Sequence, residues 1–411
     1  MNPAAFEAKQ KNARRIVDYI VSHGETSRVA LTNIFGLSTA TVTNIVTELL
    51  DQKLLYESRR EQSIAGRKAT LLQFNSNLHY ALTVSIGRSP KDEDCAEFTI
   101  CNLRGEIISE KKMYQAFTIS ESFSESDMLK GLIAALRAFI AEQSSSTQAA
   151  LCAIGICIHG MVNCRQTVDT PILNWKNVNL TIPLQAALHL PVYVEGVTRV
   201  KALYELRFID LQEKNVLYLN LSSGVGAVNF FNGKMVVGRT GIAGEVGHIT
   251  LNLHGPRCYC GNRGCFELYC GMNNIIVYAE RLLTAENAND VFFDMAIQQH
   301  RPLTPELIFE AREEGSLIIH ELLCNTAEYL GAGIASLFNI YDFDRMIISG
   351  YLDNGKDDFL INRAIEYAKG WIINPYSRDL IVSRAHLNSN QLYLALSALV
   401  LKHLLDDTFH T

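Results

Sequence analysis

The sequence predicts an α/β protein in three parts, a small helical head followed by two α/β lobes. Three observations lead there. Apolar residues recur at helical spacing over the first fifty or so positions, and from His79 the pattern turns to short strand-like runs. An order of strand hairpin followed by helix then occurs twice. At 411 residues the chain is also about twice what one hydrophobic core usually supports.

In the head, Ala13, Ile16, Val17 and Ile20 fall on one helical face, and Gly24 follows where a helix would end. Ser27 suits the N-cap of a short second helix carrying Leu31, Ile34 and Phe35. After a break at Gly36-Leu37, Ser38 suits the N-cap of a third helix. There Val42, Ile45, Val46, Leu49 and Leu50 keep the i, i+3, i+4, i+7, i+8 rule. Three helices with a Gly-containing turn before the third describe a helix-turn-helix. Leu54–Ser58 and Ala69–Phe74 read as strands flanking a basic tip from Arg59 to Lys68, which makes a wing.

The net charge of −6 hides an asymmetry. Residues 1–75 hold ten Lys/Arg against seven Asp/Glu, whereas the remainder holds 27 against 36. A mildly basic head on an acidic body suits a DNA-binding module attached to something else. Candidate DNA contacts are Ser38, Thr39, Thr43 and Asn44, small hydrogen-bonding side chains on the third helix, suited to phosphates and base edges. Arg28, at the start of the second helix, suits a phosphate. Arg67 and Lys68, at the wing tip, suit a narrow minor groove. A small helical protein-interaction module is the other reading of the same segment.

In the body, Tyr80–Ile86, Ala96–Asn102 and Glu106–Met113 read as strands, followed by a helix around Asp127–Gln143 and the strand Leu151–Ile158. The order restarts with strands Asn215–Leu221, Val225–Phe231 and Met235–Val237. Helices are expected around Pro305–Cys324 and Thr326–Phe338, then a strand at Arg345–Ser349. The repetition suggests two lobes with a cleft between them. The richest apolar run, Ala149–Ile158, is far short of the roughly 20 residues that span a bilayer, so membrane insertion is not expected. No charged-then-apolar leader opens the chain, and seven of the ten cysteines are scattered among apolar neighbours. A reduced, cytoplasmic setting is expected rather than a disulfide framework.

The strongest local signal runs from Glu245-Val246-Gly247-His248 to Cys258-Tyr259-Cys260-Gly261-Asn262-Arg263-Gly264-Cys265-Phe266-Glu267. One imidazole and three thiols within eighteen residues, His248, Cys258, Cys260 and Cys265, can fill a tetrahedral Zn²⁺ shell. No position is left open, so such a zinc is structural rather than catalytic.

This motif, His248-x9-Cys258-x-Cys260-Gly261-x2-Gly264-Cys265-x-Glu267, resembles the signature of the ROK family (repressors, open reading frames and sugar kinases). The resemblance extends over nearly the whole chain, and the winged helix-turn-helix matches the repressor branch. It implies a two-lobed actin/hexokinase-like body. The winged helix would occupy 1–75 and the first lobe 76–196, completed by a C-terminal helix at 385–411. The second lobe, with the zinc site, would occupy 197–384. It also implies that Asn174 beside Trp175, Glu245, His248 and Glu267 are the positions that hold sugar hydroxyls, His248 using the ring nitrogen turned away from zinc.

Where family kinases carry a Glu-Asn-Asp stretch, this chain reads Glu195-Gly196-Val197, so Val197 stands at the position of the catalytic base. A sugar hydroxyl must lose its proton to attack a phosphoryl group, and valine cannot take it. The first phosphate loop, Ser85-Ile86-Gly87-Arg88-Ser89, lacks the Mg²⁺-side carboxylate. The second survives better as Ser222-Ser223-Gly224-Val225-Gly226-Ala227, and Ser349-Gly350-Tyr351 replaces an expected Gly-Gly. The expectation is a DNA-binding regulator, a repressor of carbohydrate genes, with no catalytic residues. Its expected partners are operator DNA, a sugar or sugar-derivative effector, and a second copy of itself as a homodimer or dimer of dimers. The alternatives are an ATP-dependent sugar kinase and a regulator answering to a sugar-transport protein.

Overall fold

In the computed structural model, which describes residues 3–60, 69–88, 93–206, 213–351, 358–376, 378–388 and 391–409, the chain opens with three helices and a hairpin. Helix α1 (Pro3–His23) stops at Gly24, whose φ of 83° is open to glycine. After the short β1 (Thr26–Ser27), Ser27 caps α2 (Arg28–Phe35) by accepting from the Ala30 amide at 3.2 Å. Ser38 does the same for α3 (Thr39–Asp51), accepting from the Thr41 amide at 3.1 Å. The wing strands β2 (Leu55–Arg60) and β3 (Thr70–Phe74) pair antiparallel with Leu55 opposite Phe74, and β1 pairs with the other edge of β3. Arg67 and Lys68, assigned to the wing tip, lie outside the described residues.

The first lobe begins as a meander of β4 (Tyr80–Arg88), β5 (Asp94–Asn102) and β6 (Ile107–Tyr114). A Ser124/Asp127 capping box starts α4 (Glu125–Ala141), and α5 (Ser145–Ala150) follows. Strand β7 (Leu151–Ile158) then runs parallel to β4. Its near-continuous apolar sequence is explained by burial on both faces. A small sheet follows, of β8 (Met161–Val162), β9 (Thr167–Thr170) and β10 (Trp175–Asn179), which the sequence reading did not contain. Helix α6 (Thr181–Leu188), β11 (Val192–Gly196) and α7 (Val197–Glu205) complete the lobe. The main sheet has the order β11-β7-β4-β5-β6.

The second lobe repeats the plan. Strands β12 (Val216–Leu221), β13 (Val225–Phe231) and β14 (Lys234–Met235) form the meander. Helices α8 (Phe266–Cys270), α9 (Met272–Arg281), α10 (Val291–Phe293), α11 (Pro305–Glu313) and α12 (Leu317–Tyr341) follow. Strand β15 (Arg345–Gly350) adds parallel to β12, then α13 (Asp358–Trp371) and a parallel β16 (Val382–Arg384), giving the order β14-β13-β12-β15-β16. The helix expected over Pro305–Cys324 is broken at Glu314-Gly315-Ser316, and no break occurs at Asn325. Gly315 takes a φ of 94° and Ser316 caps α12, accepting from the Ile319 amide at 3.2 Å.

The last helix, α14 (Leu392–Phe409), returns to the first lobe and packs on α7, β4 and β7. By their contacts the residues fall into two units, Met1–Phe208 with Gln391–Thr411, and Ile209–Asn390. Helix α7 therefore belongs with the first lobe, because α14 packs along it, rather than opening the second at residue 197. The head also shares that unit. Ile16, Ile20, Val46 and Leu72 of the head lie in one continuous core with Ala81, Leu103, Leu401 and Leu405. Arg14 of α1 reaches Asp406 of α14 at 2.6 Å. No helix among the described residues is long and apolar enough to cross a membrane.

Candidate metal centre and nucleic-acid interface

After β13, the chain turns through Glu245-Val246-Gly247-His248 and loops out before entering α8. The loop closes on itself through backbone bonds from Cys258 N to Asn262 O at 2.8 Å and from Gly264 N to Pro256 O at 2.9 Å. Gly264 has a φ of 58°, and a Cβ there would stand 1.7 Å from the Asn252 carbonyl oxygen, so only glycine lets the two strands of the loop touch. This folding gathers one ligand atom from each of His248, Cys258, Cys260 and Cys265 within 4.8 Å of one another. Cys258 Sγ lies 3.7 Å from His248 Nδ1, and Cys260 Sγ lies 3.6 Å from Cys265 Sγ. With Zn–S bonds of about 2.3 Å, tetrahedral ligands stand about 3.8 Å apart, so the donor set has the chemistry and the spacing for Zn²⁺. Burial pushes the Cys258 thiol up and the Cys265 thiol to about 12. A cation held among them would favour their thiolate forms.

His248 turns Nδ1 toward the thiols. Its Nε2, which the sequence reading left for a sugar, meets the Tyr259 hydroxyl at 3.1 Å. Tyr259 was not among the expected residues. The residue is 69% exposed, and its hydroxyl is drawn in against His248. Loss of water around that hydroxyl, then the charges of Glu267, Cys258 and Glu245, push its pKa well up. Tyr259 thus feels the charge of two candidate effector carboxylates. Glu267 is already engaged, since its Oε2 accepts the Val225 amide at 3.0 Å and lies where a Cβ on Gly224 would stand 2.3 Å away. The second glycine loop is thereby covered by a carboxylate of the chain itself. Asn174 belongs to the other unit. It caps a short 3-10 turn with a φ of 53°, and its amide donates to the Ile119 carbonyl at 2.9 Å.

Val197 begins α7 and is 6% exposed, a buried aliphatic group with no proton to take. Arg199, two residues on, pairs with Glu195 at 3.3 Å. In the head, Thr39, Thr43 and Asn44 lie exposed on α3, opposite the buried Val42, Ile45, Val46 and Leu49. Ser38 is exposed too, but its hydroxyl is spent on the cap of α3 and on Thr41. Arg28 forms an ion pair with Glu57 of β2 at 3.0 Å.

Residues 93–402, well over half of the chain, match the ROK family. The chain belongs to the ROK family. Among curated ROK proteins, the chain is 25% identical over 400 residues to the xylose repressor of Bacillus subtilis (strain 168), covering 97% of each. It is 27% identical over 401 residues to the xylose repressor of Caldicellulosiruptor bescii, again covering 97% of each. The DNA-binding transcriptional dual regulator NagC of Escherichia coli (strain K12) is 24% identical, covering 97% of this chain and 96% of that one. Among solved structures, a ROK family transcriptional regulator, described as a homologue of the E. coli MLC protein, superposes with a TM-score of 0.76 at 27% identity over 98% of both chains. A ROK glucokinase from Streptomyces griseus gives a TM-score of 0.63 at 24% identity, covers 78% of this chain and shares the fold.

Proposed function

We infer that this ROK protein is a sugar-responsive transcriptional repressor, not an enzyme. The observation that carries the reading is a winged helix-turn-helix built into the same unit as a lobe whose α7 opens on buried Val197 instead of a carboxylate. Phosphoryl transfer to a hydroxyl needs a base at hand, and the kinase alternative lacks one at this position. The named relatives that match over nearly their full length are repressors and a transcriptional regulator, which supports the same reading.

The candidate DNA contacts are Thr39, Thr43 and Asn44 for base edges and the helix start, Ser38 through its backbone, Arg28 for phosphate, and Arg67 with Lys68 for the minor groove. Asn174, Glu245, His248 and Glu267 are the candidate effector contacts. His248 Nδ1 and the thiolates of Cys258, Cys260 and Cys265 would hold Zn²⁺, which contributes folding energy to the loop carrying Glu245 and Glu267. The setting is cytoplasmic. A winged helix reads one half-site, so the working form is a homodimer or a dimer of dimers. Light scattering at twice the chain mass or more supports this, and the monomer mass at micromolar concentration contradicts it.

The test is fluorescence anisotropy of the full chain on the DNA upstream of its own gene, with xylose, glucose, N-acetylglucosamine and their phosphates added in turn. Binding at nanomolar concentration that one of these sugars releases supports the reading. Phosphorylation of any of them with ATP overturns it. Release by a sugar-transport protein alone would favour the partner-controlled alternative.

A further inference from the structure

We propose that the second unit carries a separate saccharide-binding pocket between α8, α9 and α12, built from Tyr269, Tyr278, Arg281, Glu321, Asn325 and Tyr329. These residues line a cavity of about 550 Å³, within the size range of small-molecule sites. Its walls combine tyrosine rings with polar side chains exposed to solvent. Tyr269 and Tyr329 stack with ring centroids 3.7 Å apart, and the Arg281 guanidinium lies 5.6 Å from the Tyr278 ring centroid. Among the described residues, no hydrogen bond or ion pair engages Glu321, Asn325 or the Arg281 guanidinium. The Tyr269 hydroxyl is buried beside Tyr329 and Asn252 and faces Gly255 of the zinc loop. Arg281, Glu321 and Asn325 are exposed at the cavity, so their donors and acceptors are open to a ligand there.

A polyhydroxylated ring uses all of these groups at once. Its C–H face packs on tyrosine. Its vicinal hydroxyls donate to a carboxylate and accept from a planar guanidinium or amide. None of the six residues belongs to the zinc set or to the candidate effector set. Tyr269 nevertheless connects the pocket to the zinc loop. It lies four residues after Cys265, and a Cβ on Gly255 of that loop would stand 2.2 Å from its hydroxyl. An occupant that shifts the Tyr269 ring therefore presses on the loop.

The test is isothermal titration calorimetry of the zinc-loaded full chain with D-xylose, D-glucose, N-acetyl-D-glucosamine and maltose. Glu321→Ala combined with Asn325→Ala removes two exposed groups of the pocket and leaves its tyrosines in place. At least one sugar should bind with affinity reduced tenfold or more in this variant and unchanged in Glu313→Ala, an exposed residue that belongs neither to this cavity nor to the candidate effector set. Equal affinity in wild type and the double variant, no sugar binding at millimolar concentration, or binding of L-tyrosine in place of every sugar overturns the proposal. So does cross-linking that shows Tyr278 and Glu321 covered by a second copy of the chain. The titration is read without DNA, so failure of operator binding leaves its outcome legible.

Discussion

Serine in place of Cys258 or Cys260 takes one donor from a cluster of four that has no spare among the described residues. A hydroxyl is a poor zinc ligand, and structural zinc supplies folding energy directly, so either variant should lose stoichiometric zinc and melt at lower temperature. Elemental analysis of protein purified without chelator checks this, and full zinc retention by both variants contradicts it. The four ligands were legible in the sequence because their spacing is itself the signal. Tyr259 was not, since an exposed tyrosine between two cysteines looks like any surface aromatic until its hydroxyl is found against His248 Nε2. In the head, residue chemistry separates two roles. Arg28→Ala breaks a partly exposed pair with Glu57 worth about 0–1 kcal/mol, so stability should barely change. Its effect should fall on all DNA alike and reduce the salt slope by about one. Asn44→Ala should cost roughly 1–3 kcal/mol on the operator and little on scrambled duplex. Anisotropy across a salt series separates the two, and equal losses on both duplexes remove Asn44 from the base-reading set.

Elements with a strong period or a cap were placed well. Strands β7 and β13 match the expected bounds to the residue, because each is a short apolar run that ends at a bend or turn, His159-Gly160 after β7 and Asn232-Gly233 after β13. The run from Pro305 to Phe338 was mis-divided for the opposite reason. Apolar periodicity continues through the break, and the reading by periodicity alone did not take in Gly315-Ser316, where one helix stops and the next is capped. Tertiary structure reinforces that break through Asp290. Its carboxylate accepts from Ser316 Oγ at 2.6 Å and from the Leu317 amide at 3.0 Å, while it also caps α10 through the Phe292 amide at 2.8 Å. Burial raises this carboxyl, but the hydroxyl and three amides outweigh burial and hold it below its ordinary value. A depressed folded-state value means stability present above the unfolded carboxylate pKa, near 4, and lost as pH falls through the folded one. Asp290→Ala should therefore lower stability by about 1–2 kcal/mol at neutral pH and flatten the acid limb of the stability curve. Denaturant titrations at pH 7 and pH 3 read it. An identical deficit at both values contradicts the assignment.

At the scale of the whole molecule, the departure from the sequence reading is the union of head and first lobe in one unit. Local signals mark a winged helix as a module of its own. Nothing local shows that Ile16, Ile20 and Leu72 share a core with residues more than three hundred positions away. That sharing runs through α14, which packs along α7 and β7 on one side and reaches α1 on the other. Arg14 fixes the contact by pairing with Asp406 at 2.6 Å and Asp18 at 2.9 Å, and Lys402 also reaches Asp406 at 2.8 Å. The shared core predicts that the head does not melt separately from the first lobe. Leu405 is 1% exposed within that core, so Leu405→Ala should cost about 2–5 kcal/mol through lost burial and the cavity it leaves. If the core is one cooperative unit, hydrogen exchange should rise together in α1, α3, β4 and β7 of this variant. The zinc loop and α12, in the other unit, should keep their protection. Operator affinity should fall with the same substitution although no DNA-facing residue has changed. Exchange that rises in α14 alone, with α1 and operator affinity unaffected, would show that the head holds itself together and that α14 only rests against it.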